Sequence, residues 1–136
     1  MALLTEVSVG EFLDKMTILE IKSERIKDAA KLANVRKELD ALNQIWSASS
    51  YAAIYETADH ERLKNINAAL WEIEDKIRDK EAAQEFDAVF IELARAVYVT
   101  NDERARIKKE INQKLGSTLV EEKSYADYSA AAKKQT

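Results

Sequence analysis

Between Gly10 and Gly116 the chain contains neither a proline nor a glycine. In a helix interior proline costs about 3 kcal/mol and glycine about 1 kcal/mol relative to alanine, so the residues that most reliably interrupt a helix are missing from the whole middle of the sequence. The glycines that tight hairpin turns favour are missing with them. A chain of this kind folds into long helices with few turns. With 136 residues it is long enough to bury a core of its own as one domain.

The periodicity of the apolar residues divides the chain. The first helix is predicted over residues 9–27. Ser8 is its N-cap, and Glu11 stands where a capping box needs an acid to reach back. At about 100° per residue, Phe12, Leu13, Met16, Leu19 and Ile26 share one broad face. Asp14, Ile18, Ile21 and Arg25 form a second stripe, covered by the tail or by a second subunit. The second helix is predicted over 30–46, carrying Leu32, Val35, Leu39, Leu42 and Trp46 and folding back on the first through a turn near Asp28. Residues 47–50 read as loop, 51–55 as a short turn and 57–59 as irregular. The third helix, 59–85, lines up Leu63, Ile66, Leu70, Ile73 and Ile77. The fourth starts at Asp87 as N-cap and ends at Leu115, with Gly116 as its C-cap. Thr100-Asn101-Asp102-Glu103 repeats a capping pattern, but the apolar face keeps its phase there, so one long helix is expected. Leu119, Val120, Tyr125 and Tyr128 are spaced to dock on the bundle. The expected fold is all-α, an antiparallel helical bundle of about four long helices arranged as two helical hairpins. A single domain over 1–128 precedes a flexible tail, 129–136.

Several kinds of chemistry lack their parts. There is no cysteine, and His60 is the sole histidine, so no thiolate nucleophile, catalytic triad or zinc site can be built in the usual way. The net charge is −4, with basic and acidic residues interspersed, which disfavours nucleic acid. No apolar run approaches the length of a membrane span, and the first residues lack the pattern of a signal peptide. The chain therefore reads as cytoplasmic, with no membrane or nucleic-acid partner, no cofactor and no assigned catalytic residue. Glu72 and Asp75 form an E-x-x-D pair like that of the all-helical nucleotide pyrophosphohydrolases. Those enzymes also need an E-x-x-E, which is absent, so a solvated face is expected there and no metal site. His60 is expected at the surface, and Trp46 and Trp71 in the core or at an interface.

The informative residues are polar ones on apolar faces. Arg104 falls in the centre of the fourth helix's inner stripe, beside Asn101 and Lys108, with Asn112 on the flank. On the third helix Glu81 lies on the apolar face, with Asn67, Trp71, Glu74 and Arg78 along its edge. Unpaired buried charge costs several kcal/mol, so these groups are paired, hydrated or bound to something. One outcome is an ion-pair and amide network that fixes helix register. The other is a pocket between helices in which Arg104 and Lys108, with Asn101 and Arg78, bind an anion that Glu74 or Glu81 orients. Small helical chorismate mutases, which hold a dicarboxylate with inward Arg and Lys, offer a comparison through Arg25, Arg104 and Lys108. The carboxylate expected opposite Arg104 is Glu74 or Glu81, with Asp14 as the alternative.

The run from Val7 to Ile26 also resembles the "SVGE..DK.TILEIK.ER" signature of an uncharacterised bacterial and phage family of small helical proteins. Later segments match the same pattern: 31–36, 70–81, 93–98, 100–104, 107–112 and 121–125. The resemblance implies a soluble single-domain unit and carries no reaction or catalytic residue with it. The leading expectation is a non-enzymatic helical protein acting through protein contacts, as a homodimer. The alternative is a small ligand-binding or catalytic bundle with an anion pocket between its helices.

Overall fold

A computed structural model of the chain describes residues 2–128. It contains four long helices: α1 (Val9–Arg25), α2 (Ala29–Ala48), α3 (Thr57–Ala82) and α4 (Ala88–Leu115), with a 3-10 turn at Ser50–Ala53 between α2 and α3. No strand occurs among the described residues. The fold is all-α, built from two helical hairpins, α1–α2 and α3–α4. The tail expected over 129–136 lies outside the described residues. No helix among those described is long and apolar enough to cross a membrane.

The ends of the helices follow their capping chemistry. The Ser8 side chain accepts from the Glu11 amide, Asp28 accepts from that of Lys31, and Asp87 from that of Phe90. Asp28 thus starts α2 one residue earlier than its periodicity suggests. Gly116 closes α4 in the left-handed region, φ 68°, where an L side chain would be strained. No side chain caps α3 at Glu56, so its start at Thr57, inside the segment expected to be irregular, carried no local signal. α3 also stops at Ala82, short of the predicted Glu85. There Gln84 takes φ 55°, a turn conformation made without a glycine. α4 runs unbroken through Thr100–Glu103 as expected.

α1 is the middle layer. It packs on α2 along one side and on both α3 and α4 along the other, while α3 and α4 pair with each other. The core joins Leu13, Met16 and Leu19 of α1 to Val35 and Leu42 of α2, Leu63 of α3, and Ile107, Ile111 and Leu115 of α4. Each such side chain contributes about 1.5–3 kcal/mol by leaving water. Trp46 is half-buried beside this core, stacked on Phe12 and Tyr51 and edge-on to Tyr55. The far half of the α3–α4 hairpin is different. From Trp71 to Arg106 no residue is fully buried; α1 touches only the near end of this stretch, where Arg25 meets Glu72 and Trp71 and Asp14 faces Arg104.

The segment after α4 is held mostly by charge. Lys108 binds Glu121 at 3.0 Å and Lys109 binds Glu122 at 3.1 Å. All four apolar residues expected to dock, Leu119, Val120, Tyr125 and Tyr128, are exposed; Tyr128 still meets the Tyr98 ring edge-on. The Tyr98–Tyr128 ring contact and the ion pairs of Lys108 and Lys109 stand where an apolar seam was expected.

Candidate functional site

The site is assembled where the start of α1 meets the second half of α4. The Gly10 amide donates to Asn112 Oδ1 at 2.6 Å, and the Val9 amide donates to Ser117 Oγ at 3.1 Å. With Ser8 taking the Glu11 amide, the free donors at the N-terminus of α1 are satisfied within the chain. A Cβ on Gly10 would lie 2.6 Å from the Lys108 carbonyl oxygen, so the two helices approach here as only glycine allows. Glu11 does not complete the expected capping box. Its carboxylate instead binds Lys108 Nζ at 2.5 Å.

One turn further along α1 lies a buried polar cluster. Asp14 accepts from Asn67 Nδ2 at 2.9 Å, and the same amide nitrogen donates to Thr17 Oγ1 at 2.9 Å. The Thr17 hydroxyl donates in turn to the Asp14 carbonyl. The Asp14 carboxylate is 3.8 Å from both Lys108 Nζ and Arg104 Nη1. Lys108 is the structural member of this set. Its side chain is 9% exposed, and Glu11, Glu121 and Asp14 surround it. Burial lowers its pKa, but the bonds from Glu11 and Glu121 and the charge of Asp14 outweigh that and hold the ammonium above the usual lysine value. The Lys108 bond, ahead of a smaller burial effect, draws Glu121 below the usual glutamate value.

Arg104 is placed otherwise. Its guanidinium makes one hydrogen bond among the described residues, from Nη1 to Asn67 Oδ1 at 3.3 Å. The nearest carboxylate is that of Asp14, the alternative partner, and neither Glu74 nor Glu81. Arg104 opens onto a cavity of about 550 Å³ between α1, α3 and α4. Ile18, Ile21, Leu70 and Trp71 form its apolar wall; Lys22, Arg78, Glu74, Asp75, Asn67 and Asn101 supply the polar groups. Glu74 is bonded to Arg78 at 3.1 Å, whereas Lys22 and Asn101 have no side-chain partner among the described residues. A second cavity, of about 570 Å³, lies between α4 and the segment that follows it, and it shares Asn101 and Arg104 with the first.

Of the residues singled out for an anion site, Arg104, Asn101, Glu74 and Arg78 line one cavity together. Lys108 and Glu81 line neither cavity; Lys108 is sealed inside its carboxylates and Glu81 is exposed further along α3. Of the second α1 stripe, Asp14 and Ile21 are buried and Ile18 stands on the cavity wall. Arg25 binds Glu72 at 2.5 Å with its guanidinium over the Trp71 ring. Glu72 of the E-x-x-D pair is thus engaged by an arginine. Among the described residues no group of three or more His, Asp or Glu is placed to hold a metal ion.

Periodicity did not expose one further cluster. His60, expected at the surface, is half-buried, with Nε2 2.8 Å from Glu20 Oε1 and Nδ1 3.1 Å from the Tyr55 hydroxyl. A carboxylate can only accept, so Nε2 carries the proton, and in the neutral ring Nδ1 accepts from Tyr55. Burial first, then the charges of Asp59 and Glu20, push the Tyr55 hydroxyl well above the usual tyrosine value. Burial raises the Glu20 pKa, but its bonds and charge contacts with His60 and Lys64 lower it further. This chain of groups ties α1 to the start of α3 and lines neither cavity.

Residues 3–134 match the profile of a family of unknown function, DUF6165. The chain belongs to that family. Neither the curated proteins nor the solved structures compared with it contain a match. In the Ser8-Val9-Gly10-Glu11 opening of this chain, Ser8 caps α1, Gly10 admits α4, and Glu11 binds Lys108.

Proposed function

We propose that the protein binds a small organic anion in the cavity between α1, α3 and α4, with Arg104 as its anchor. The observation that carries this reading is the state of Arg104. A guanidinium offers five N–H donors, and among the described residues a single protein hydrogen bond engages this one, on the wall of an open cavity. Lys22 and the Asn101 amide stand on the same wall without side-chain partners among the described residues, and Trp71 with Leu70 supplies an apolar surface for the body of a ligand. That mixture, apolar walls with a few convergent polar groups, is what ligand sites of this size use.

A thermal-shift screen with phosphates, dicarboxylates and sugar nucleotides tests it. Stabilisation by one class, lost in Arg104→Ala while helical content is kept, supports the reading. Absence of stabilisation by every class contradicts it.

Action through protein contacts, including a homodimer, is the second reading. It is favoured by Phe86, Val89, Ile91 and Val99, all exposed on the far half of the α3–α4 hairpin, where only two helices pack. Of the α1 stripe, Ile18 and Arg25 remain accessible to such a partner. Sedimentation at high concentration tests it, and a strict monomer would remove the self-association.

A further inference from the structure

We infer that the ligand of this site carries its negative charge in the middle of the molecule, as a phosphodiester or diphosphate substituted on both sides. The inference rests on the ligand-binding reading above and adds the chemical class. Its ground is that Arg104 and Asn101 line two cavities at once, of about 550 and 570 Å³, one walled by α1 and α3 and the other by the segment after α4. The cation therefore stands where the two adjoin.

Carboxylates and phosphate monoesters are terminal groups. A ligand headed by one puts its charge on Arg104 and its body into one cavity, leaving the other filled with water. A diester or a disubstituted diphosphate has a body on each side of its charge and fills both. Each cavity falls within the usual range for a small-ligand site, about 300–1,000 Å³, and so accepts a substituent of nucleoside size.

The two cavities differ in chemistry. The one under the C-terminal segment presents Tyr98, Tyr125 and Tyr128, with Lys123 nearby. Tyr125 is 79% exposed, and no ring packs against it among the described residues. Such faces suit a stacked planar ring, since every base offers a π-surface. The cavity between α1, α3 and α4 presents the carboxylates of Glu74 and Asp75 beside Trp71. Carboxylates accept from hydroxyl groups, and an indole packs on the apolar face of a sugar. The arrangement selects an aromatic ring at one end, diphosphate at the centre and a polyhydroxylated group at the other.

Calorimetric titration of the full chain with inorganic pyrophosphate, ADP, ADP-ribose and benzoate tests this directly. These probes present the centre alone, the centre with its aromatic end, all three parts, and a terminal anion on a ring. Affinity is expected to rise about tenfold or more at each step from pyrophosphate to ADP-ribose. Tyr125→Ala is expected to remove the gain between pyrophosphate and ADP while leaving pyrophosphate binding unchanged. Glu74→Gln is expected to reduce only the gain from ADP to ADP-ribose. Benzoate binding as tightly as ADP-ribose, or pyrophosphate binding as tightly as either nucleotide, overturns the mid-chain class and leaves anion binding at Arg104 standing. If none of the four probes binds, both readings fall.

Discussion

Gly10 and Asn112 join the two ends of the fold: the Gly10 amide donates to Asn112 Oδ1 at 2.6 Å, across a gap that no side chain larger than hydrogen would fit. The contact sets the height of α1 against α4. It thereby fixes where Asp14 meets Lys108 and Arg104, one turn further in.

Gly10→Ala is accordingly expected to destabilise the protein, although alanine is the better helix former by about 1 kcal/mol. The added Cβ meets a backbone carbonyl at 2.6 Å, which cannot rotate away. Overpacking of this kind costs about 1–3 kcal/mol. Urea unfolding should show a lower midpoint with an unchanged slope. A midpoint equal to or above that of the parent would contradict the close approach.

Asp14→Ala should be the most damaging single change in the polar cluster. It removes the acceptor of Asn67 and the carboxylate that lies between Lys108 and Arg104, both at 3.8 Å. Breaking a buried pair in this way costs roughly 3–5 kcal/mol. Chemical denaturation reads the loss directly, and a change below about 1 kcal/mol would show that the cluster is hydrated enough to be dispensable.

Stability is expected to fall at both extremes of pH, for separate reasons. The folded pKa of Lys108 lies above the usual 10.5, so its contribution is complete below 10.5 and is lost as pH rises through the folded value. Glu20 and Glu121 lie below the usual 4.5, so theirs are complete above 4.5 and are lost as pH falls through the folded values. Lys108→Met should make the alkaline limb shallower and leave Glu20's part of the acid limb in place. Urea midpoints measured across the pH range check this; an alkaline limb as steep as the parent's would mean that Lys108 does not carry it.

The helices were legible in the sequence because their signals are local. Ser8, Asp87 and Gly116 each act within a few residues of their own position, and the absence of glycine and proline between Gly10 and Gly116 left long helices as the outcome. The start of α3 was not legible, since Glu56 makes no side-chain cap, and neither was its end, where Gln84 turns the chain without a glycine. At the site, helical phase grouped Arg104, Asn101, Glu74 and Arg78, and these four line one cavity. It could not separate Arg104 from Lys108, which share that face of α4. Their difference comes from Glu11 and Glu121, 97 and 13 residues away, which close over one cation and not the other. The His60 cluster was hidden for the same reason: Glu20 is 40 residues from it in sequence.

The central claim, that Arg104 anchors a ligand and is not chiefly a structural cation, is tested most directly by urea unfolding of the parent and of Arg104→Met, each with and without inorganic pyrophosphate. Without ligand the variant should lose only about 1–2 kcal/mol, because Lys108 and Asn67 still face Asp14. Pyrophosphate should then stabilise the parent and leave the variant unchanged. A loss of roughly 3–5 kcal/mol in the unliganded variant, with pyrophosphate acting alike on both proteins, would contradict the account.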